Sequence, residues 1–262
     1  MLEIGTKGWV VSGTCLTETE KVVHMLAQIP KEKYKSALSY EERQFMEEKE
    51  WGKNYVVLLQ SIPEADIRMY GYDGEEYGTR GIIVDYKGTY SFFDMIWNSW
   101  RFQPQMYQGD YDGDSMQEIA VIYPGGYGTG ISWEGLLVLD VQPDNTLLCS
   151  EMIMDHWYLV SQLEPFIKYD KKNGKIKIVK DGKTKKVIDL TDSPDYEENK
   201  ESLVITYTNI IQFKVEGSRI KMLTEVTGSP YGTLLYMEGV ENTTTAFDVI
   251  YSPDGFRFDL AD

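Results

Sequence analysis

From Asn54 onward the chain is a succession of short runs dense in Tyr, Val and Ile, each closed off by Gly, Asn, Asp or Pro. β-Branched and aromatic residues fit a pleated, half-buried surface, whereas Gly, Asn and Asp supply the backbone conformations of tight turns. The rhythm predicts strands at Tyr55–Leu59, Ile67–Tyr70, Gly81–Asp85, Tyr90–Phe93, Ile119–Tyr123, Leu136–Val141 and Lys175–Lys180. It continues through Lys185–Leu190, Leu203–Tyr207, Ile210–Val215, Arg219–Thr224, Leu234–Met237, Ala246–Tyr251 and Phe256–Asp259. Asp181-Gly182 joins two of these runs with a favoured hairpin turn, because both residues tolerate positive φ.

Only the start of the chain reads as helical. Thr17-Glu18-Thr19-Glu20 forms a capping box, Val22, Leu26 and Ile29 follow at helical spacing, and Pro30 ends the run. Ser39-Tyr40-Glu41-Glu42 opens a second helix through Trp51. The expected organisation is a helical segment over residues 1–53 packed on a β-rich domain over 54–262. The fold class is mostly β: a propeller-like or open multi-sheet β assembly with a short N-terminal helical pair, or alternatively a β-sandwich. Strand clusters beginning near Asp66, Met106, Phe166, Leu203 and Thr233, at uneven steps of roughly 30–60 residues, fit either layout.

Charge narrows the partners. Asp and Glu number 42 against 26 Lys and Arg, a net charge of −16, so neither nucleic acid nor an anionic membrane surface is an expected partner. No run reaches the roughly 18 apolar residues of a membrane-spanning helix, so no membrane insertion is expected, and the opening Met1-Leu2-Glu3-Ile4-Gly5 lacks signal-peptide character. Cys15 and Cys149 allow at most one intrachain disulfide, and two histidines, His24 and His156, exclude a three-histidine metal site.

One segment carries chemistry in its spacing. In Gly109-Asp110-Tyr111-Asp112-Gly113-Asp114-Ser115-Met116-Gln117-Glu118-Ile119-Ala120-Val121, the acids Asp110, Asp112, Asp114 and Glu118 can converge on one point, with the Met116 carbonyl as a further oxygen donor. Calcium takes roughly six to eight oxygen ligands at about 2.3–2.6 Å, a demand such a loop meets with the help of water. Magnesium retains its waters and requires an octahedron, and zinc prefers the His and Cys that this loop lacks. Three aspartates on alternate positions repel one another until a dication neutralises them. The expected cofactor is Ca2+. An EF-hand is excluded, because Ser115 and Val121 stand where its Gly and Glu belong, and a strand rather than a helix follows.

The loop resembles the D-x-D-x-D-x-x-x-[DE] calcium loops of FG-GAP and VCBS-type β repeats. A wider pattern contains Asp66-Ile67-Arg68-Met69-Tyr70-Gly71-Tyr72, Gly81-Ile82-Ile83-Val84-Asp85-Tyr86, Tyr90–Asp94, the acidic loop, and Gly128-Thr129-Gly130-Ile131-Ser132-Trp133-Glu134-Gly135-Leu136. Over roughly residues 62–142 it is similar to extracytoplasmic modules of Gram-positive bacterial lipoproteins and to C-terminal sensor regions of antirepressor-type membrane metallopeptidases. The resemblance implies calcium and an extracellular or cell-surface location in a bacterium, with leader or anchor outside this chain. It implies no peptidase activity, since the His-Glu-x-x-His zinc motif is absent.

Other constellations are less specific. Trp97, Trp100 and Tyr107 crowd the approach to the acidic loop and are candidate ligand-binding residues, since aromatic rings stack on sugars, although core packing of β strands is the favoured account of them. Gly125–Gly130 lacks the Lys-Ser/Thr of a phosphate-binding loop and reads as a flexible β connection. Ser132 lies outside any nucleophile elbow, and no catalytic residue is assigned. Nine lysines between Lys168 and Lys186 alternate with Ile176, Ile178, Val187 and Ile188, the pattern of a solvated hairpin. Asp192–Glu201, with five acids, reads as an exposed loop. The reading that follows is an extracytoplasmic, non-enzymatic binding or sensor module with a structural calcium site, its ligand a cell-envelope carbohydrate or protein. The alternative is a glycan-acting hydrolase using two unidentified carboxylates.

Overall fold

The computed structural model describes residues 34–35, 55–74, 79–94, 103–128, 131–152, 156–232, 239–241 and 243–261. The helices expected over Thr17–Pro30 and Ser39–Trp51, the strand at Leu234–Met237, and Cys15, His24, Trp97 and Trp100 lie outside these residues. Strand makes up 65% of what is described and helix 11%, in several sheets that do not close into a barrel, so the class is an open multi-sheet β assembly. Among the described residues no helix is long and apolar enough to cross a membrane. The chain divides into two compact units.

The first unit takes the described residues through Gly125 together with Gly135–Met152. One of its sheets has the order β1-β2-β3-β4-β5, with β1 (Tyr34–Lys35) parallel to β2 (Tyr55–Ile62). Strands β3 (Ile67–Gly74), β4 (Thr79–Tyr86) and β5 (Thr89–Asp94) continue it antiparallel. The other sheet is built on β6 (Gln105–Gly109), β7 (Glu118–Gly128), β8 (Ile131–Val141) and β9 (Leu147–Glu151), neighbours in that order. Period-two alternation gives each sheet an apolar face. Val57, Ile67, Met69, Ile82, Val84 and Phe93 from the first sheet share one core with Met106, Ile119, Val121, Leu137 and Leu139 from the second. The opposite face of the first sheet gathers Val56, Tyr72, Ile83 and Phe92.

A polar contact between the two sheets fixes β6. The Gln60 side chain donates to the Met106 carbonyl and accepts from the Met106 N–H, both at 2.7 Å, as a strand backbone would. Gln60 can do this because the β2–β3 register shifts between Leu58 and Gln60, which redirects the side chain.

The second unit takes Gly126–Glu134 and the described residues after Ile153. Long strands β13 (Leu203–Glu216) and β14 (Arg219–Pro230) form a hairpin, extended by β15 (Thr244–Ser252) and β16 (Gly255–Leu260). The runs expected as Leu203–Tyr207 and Ile210–Val215 are one strand, carried through Thr208 and Asn209 by an irregularity in register. β13 pairs in parallel with the start of β8 at Ile210↔Ser132 and Ile211↔Trp133. The Glu134 carboxylate then accepts the Phe213 N–H at 2.6 Å, continuing that pairing with a side chain. The glycines expected as a flexible connection are strand through Gly128.

A separate three-stranded sheet joins β10 (Ile167–Asp170), β11 (Lys175–Lys180) and β12 (Lys183–Asp189). Its Asp181-Gly182 turn has φ of 51° and 73°, the two positive values the hairpin reading requires. Ile176, Ile178 and Ile188 point inward, whereas Val187 is 46% exposed. Lys171, Lys175, Lys177 and Lys180 pair with Glu201, Asp189, Asp170 and Asp259, so much of the lysine-rich strip is answered by the chain's own acids. Helix α1 (His156–Leu163) precedes this sheet, in a stretch where no element was expected. The acidic stretch after it is not all loop: α2 (Tyr196–Asn199) forms there, anchored by the buried Tyr196.

Leu139→Ala should cost about 2–5 kcal/mol in urea unfolding, because it removes a fully buried side chain from the shared core. Val187→Thr, at an exposed position, should stay within about 0.5 kcal/mol of the parent.

Candidate metal centre

The acidic segment is the connection between β6 and β7, closed at its base by the cross-strand pair Gly109↔Glu118. Asp, with its short polar side chain, bonds readily to backbone a few residues ahead, and that habit curls this loop. Asp110 accepts the Gly113 N–H at 2.7 Å on one oxygen and the Ser115 N–H at 3.1 Å on the other. Asp112 accepts from Asp114 N at 3.1 Å, and Asp114 from Met116 N at 2.7 Å. Gly113 takes φ of 82° at no steric cost, whereas Ser115 takes 74°, a left-handed conformation that costs a residue bearing Cβ roughly 1–2 kcal/mol.

Glu118 closes the curl from the other end. Its carboxylate accepts the Tyr111 N–H at 2.6 Å, and the residue is 1% exposed. Oxygens of Asp110, Asp112 and Glu118 all lie within 4.8 Å of one another. Oxygens sharing one calcium at about 2.3–2.6 Å stand at most about 5.2 Å apart, so the three carboxylates fit a single ion of that size. The donor set also fits: hard anionic oxygens, and no Lys, Arg or His between Gly109 and Val121 to neutralise them. Of the residues expected to ligate, the structure gathers Asp110, Asp112 and Glu118. Asp114 stands outside that cluster, engaged with Met116 N, and the Met116 carbonyl lies 3.5 Å from the Gln117 amide nitrogen.

The electrostatics follow from burial beside like charge. Burial pushes the Glu118 carboxyl up to about 6; the Tyr111 N–H opposes the rise, and Asp112, Asp114 and Asp110 add to it. Tyr111 is itself buried, with a hydroxyl that has no hydrogen-bond partner among the described residues, and burial followed by the nearby Glu118 raises its phenol. Its ring lies so close over Gly109 that a Cβ there would come within 2.9 Å of it. Glycine at position 109 therefore admits the ring that floors the loop.

Two features escaped the sequence reading. Burial, and then the charges of Asp112 and Asp114, raise the Asp140 carboxyl on β8, so a further acid feels the loop's negative charge. Its signal was available as the lone acid in the apolar run Leu136–Val141. Tyr111 carried no such signal, because an aromatic between two aspartates is legible as a floor only once the hairpin closes. Of the aromatic candidates, Tyr107 is half-buried on β6 beside Ala120, and its hydroxyl donates to Gln105. No protein-family model, curated protein or solved structure matches the chain.

An unfolded Glu ionises near 4.5 and folded Glu118 near 6, so the folded protein holds the extra proton between those values. Stability from this group is therefore greatest below about pH 4.5 and lost as pH rises through 6, by about 2 kcal/mol. In calcium-free buffer, urea titrations from pH 4.5 to 7 should show wild type losing about that much stability relative to Glu118→Gln. A pH-independent difference would contradict it.

Proposed function

We propose that this protein is an extracytoplasmic binding or sensor module, without catalytic activity, whose β6–β7 loop holds a structural calcium ion. The observation that carries this reading is the convergence of three carboxylates from one short loop, one of them on a residue 1% exposed, in a segment with no cationic residue. Asp110, Asp112 and Glu118 would hold the ion, with Asp114 and the Met116 carbonyl as the further donors expected from the loop pattern. Bound calcium would supply positive charge and oxygen-directed geometry, and nothing more. The chain's own residues do the rest: the Asp side chains hold the curl, Tyr111 excludes water beneath it, and the Gly109↔Glu118 pair joins it to the sheet.

A structural rather than catalytic role is supported by the source of the donors, all from one loop, and by their engagement with backbone N–H groups. The extracytoplasmic setting is supported by the loop's likeness to FG-GAP and VCBS-type calcium loops. Calcium would order the surface around the loop, and that surface is where a cell-envelope carbohydrate or protein would be met.

Thermal and urea unfolding with calcium and with chelator test this directly. At free calcium about 100 times the dissociation constant, the fold should gain about 2.7 kcal/mol. Asp110→Asn and Asp112→Asn should each abolish most of the gain while leaving the chelated stability near that of the parent. Identical midpoints with and without calcium would remove the metal from the reading. A panel of chromogenic glycosides should show no turnover, and hydrolysis of any member would replace the binding module with a glycosidase.

A further inference from the structure

The second unit contains a cavity of about 320 Å³, within the range of about 300–1,000 Å³ typical of pockets for small organic ligands. Helix α1, the 3-10 turn Glu164–Phe166 after it and the first residue of β10 contribute Val160, Leu163, Glu164 and Ile167. These follow the i, i+3, i+4, i+7 spacing of an apolar helical stripe. Tyr169 of β10 with Val204 and Tyr207 of β13 extend the lining. Leu163 and Tyr207 are buried, whereas Glu164 is exposed and Val204 is 49% exposed, which places the latter two at the mouth.

One member of the stripe is out of keeping with the others. Glu164 occupies a position where helical periodicity favours an apolar side chain, and it is the only charged residue in the lining among the described residues. Its carboxylate takes part in no ion pair or hydrogen bond there, although lysines elsewhere in this unit pair with Asp and Glu. An apolar chamber with a single unanswered anion at its mouth is complementary to one kind of small molecule. We propose that this cavity binds a small amphipathic amine, its apolar body among Leu163, Ile167 and Tyr207 and its ammonium group paired with Glu164. A net charge of −16 on the chain favours the approach of a cation and opposes that of an anion. The site shares no residue with the calcium loop and stands or falls independently of it.

The test uses the full chain and three probes of similar shape: 2-phenylethylamine, 2-phenylethanol and 3-phenylpropanoate. Ligand-observed NMR titration at pH 7 should show saturable binding of the amine, about two- to fivefold weaker binding of the alcohol, and none of the carboxylate. Glu164→Gln should bring the amine down to the affinity of the alcohol without altering the alcohol. Glu164→Lys, at the same exposed position, should reverse the preference in favour of the carboxylate. Circular dichroism establishes that each variant is folded. Equal binding of all three probes, binding of none, or an amine affinity unchanged in Glu164→Gln would overturn the proposal.

Discussion

Glu118 stands at the first position of β7, opposite Gly109 and directly before the buried Ile119, with 1% of its surface exposed. Removing a carboxylate from water costs several kcal/mol unless partners replace the lost hydration. The Tyr111 N–H is one such partner, but three neighbouring aspartates act against it, and the carboxyl still titrates near 6. The position cannot relax by turning outward, because β7 is buried on both faces: Ile119 and Val121 enter the shared core, and Ala120 and Ile122 are buried on the other side. A strand buried on both faces therefore holds the charge inward, and the loop above it supplies more negative charge. The calcium ion proposed above would resolve both.

The framework behind that residue is unusually complete at β6, a strand of only five residues. Its Met106 side chain enters the common core, while its Met106 backbone is clasped by Gln60 from the other sheet. Both the apolar and the polar groups of one residue are thus held, so Gly109 and the start of the loop inherit a fixed position. The Tyr111 ring over Gly109 extends the same packing to the underside of the loop. The aspartates need then only curl the segment locally, which their bonds to Gly113, Asp114, Ser115 and Met116 accomplish.

Much of this is legible without coordinates wherever the physics is local. The Asp181-Gly182 turn follows from two residues that accept positive φ, and the inward isoleucines of its hairpin follow from alternation. The acidic loop is visible because its donors come from one contiguous word. Misreadings arise where neighbours in space overrule neighbours in sequence. Thr208 and Asn209 look like a break, yet pairing with β14 on either side carries β13 through them. Val187 looks like a core residue, yet the register of β12 with β11 leaves it outward, opposite Lys177. β6, β9 and β10 are too short to announce themselves, and they exist because longer strands beside them offer an edge.

By itself the chain determined its β class, its turn chemistry and the presence of four acids able to meet above a hydrophobic strand. Those properties depend on residues a few positions apart, where side-chain type and backbone preference act directly. Only the tertiary structure decided that Glu118 is buried while Asp114 stands aside, that Asp140 feels the loop's charge, and that Glu164 sits unanswered at the mouth of an apolar cavity. It also decided that Glu134 meets Phe213, 79 residues away. Such pairings are settled by how whole sheets bury their apolar faces, and a polar side chain finds its environment only after that burial is complete.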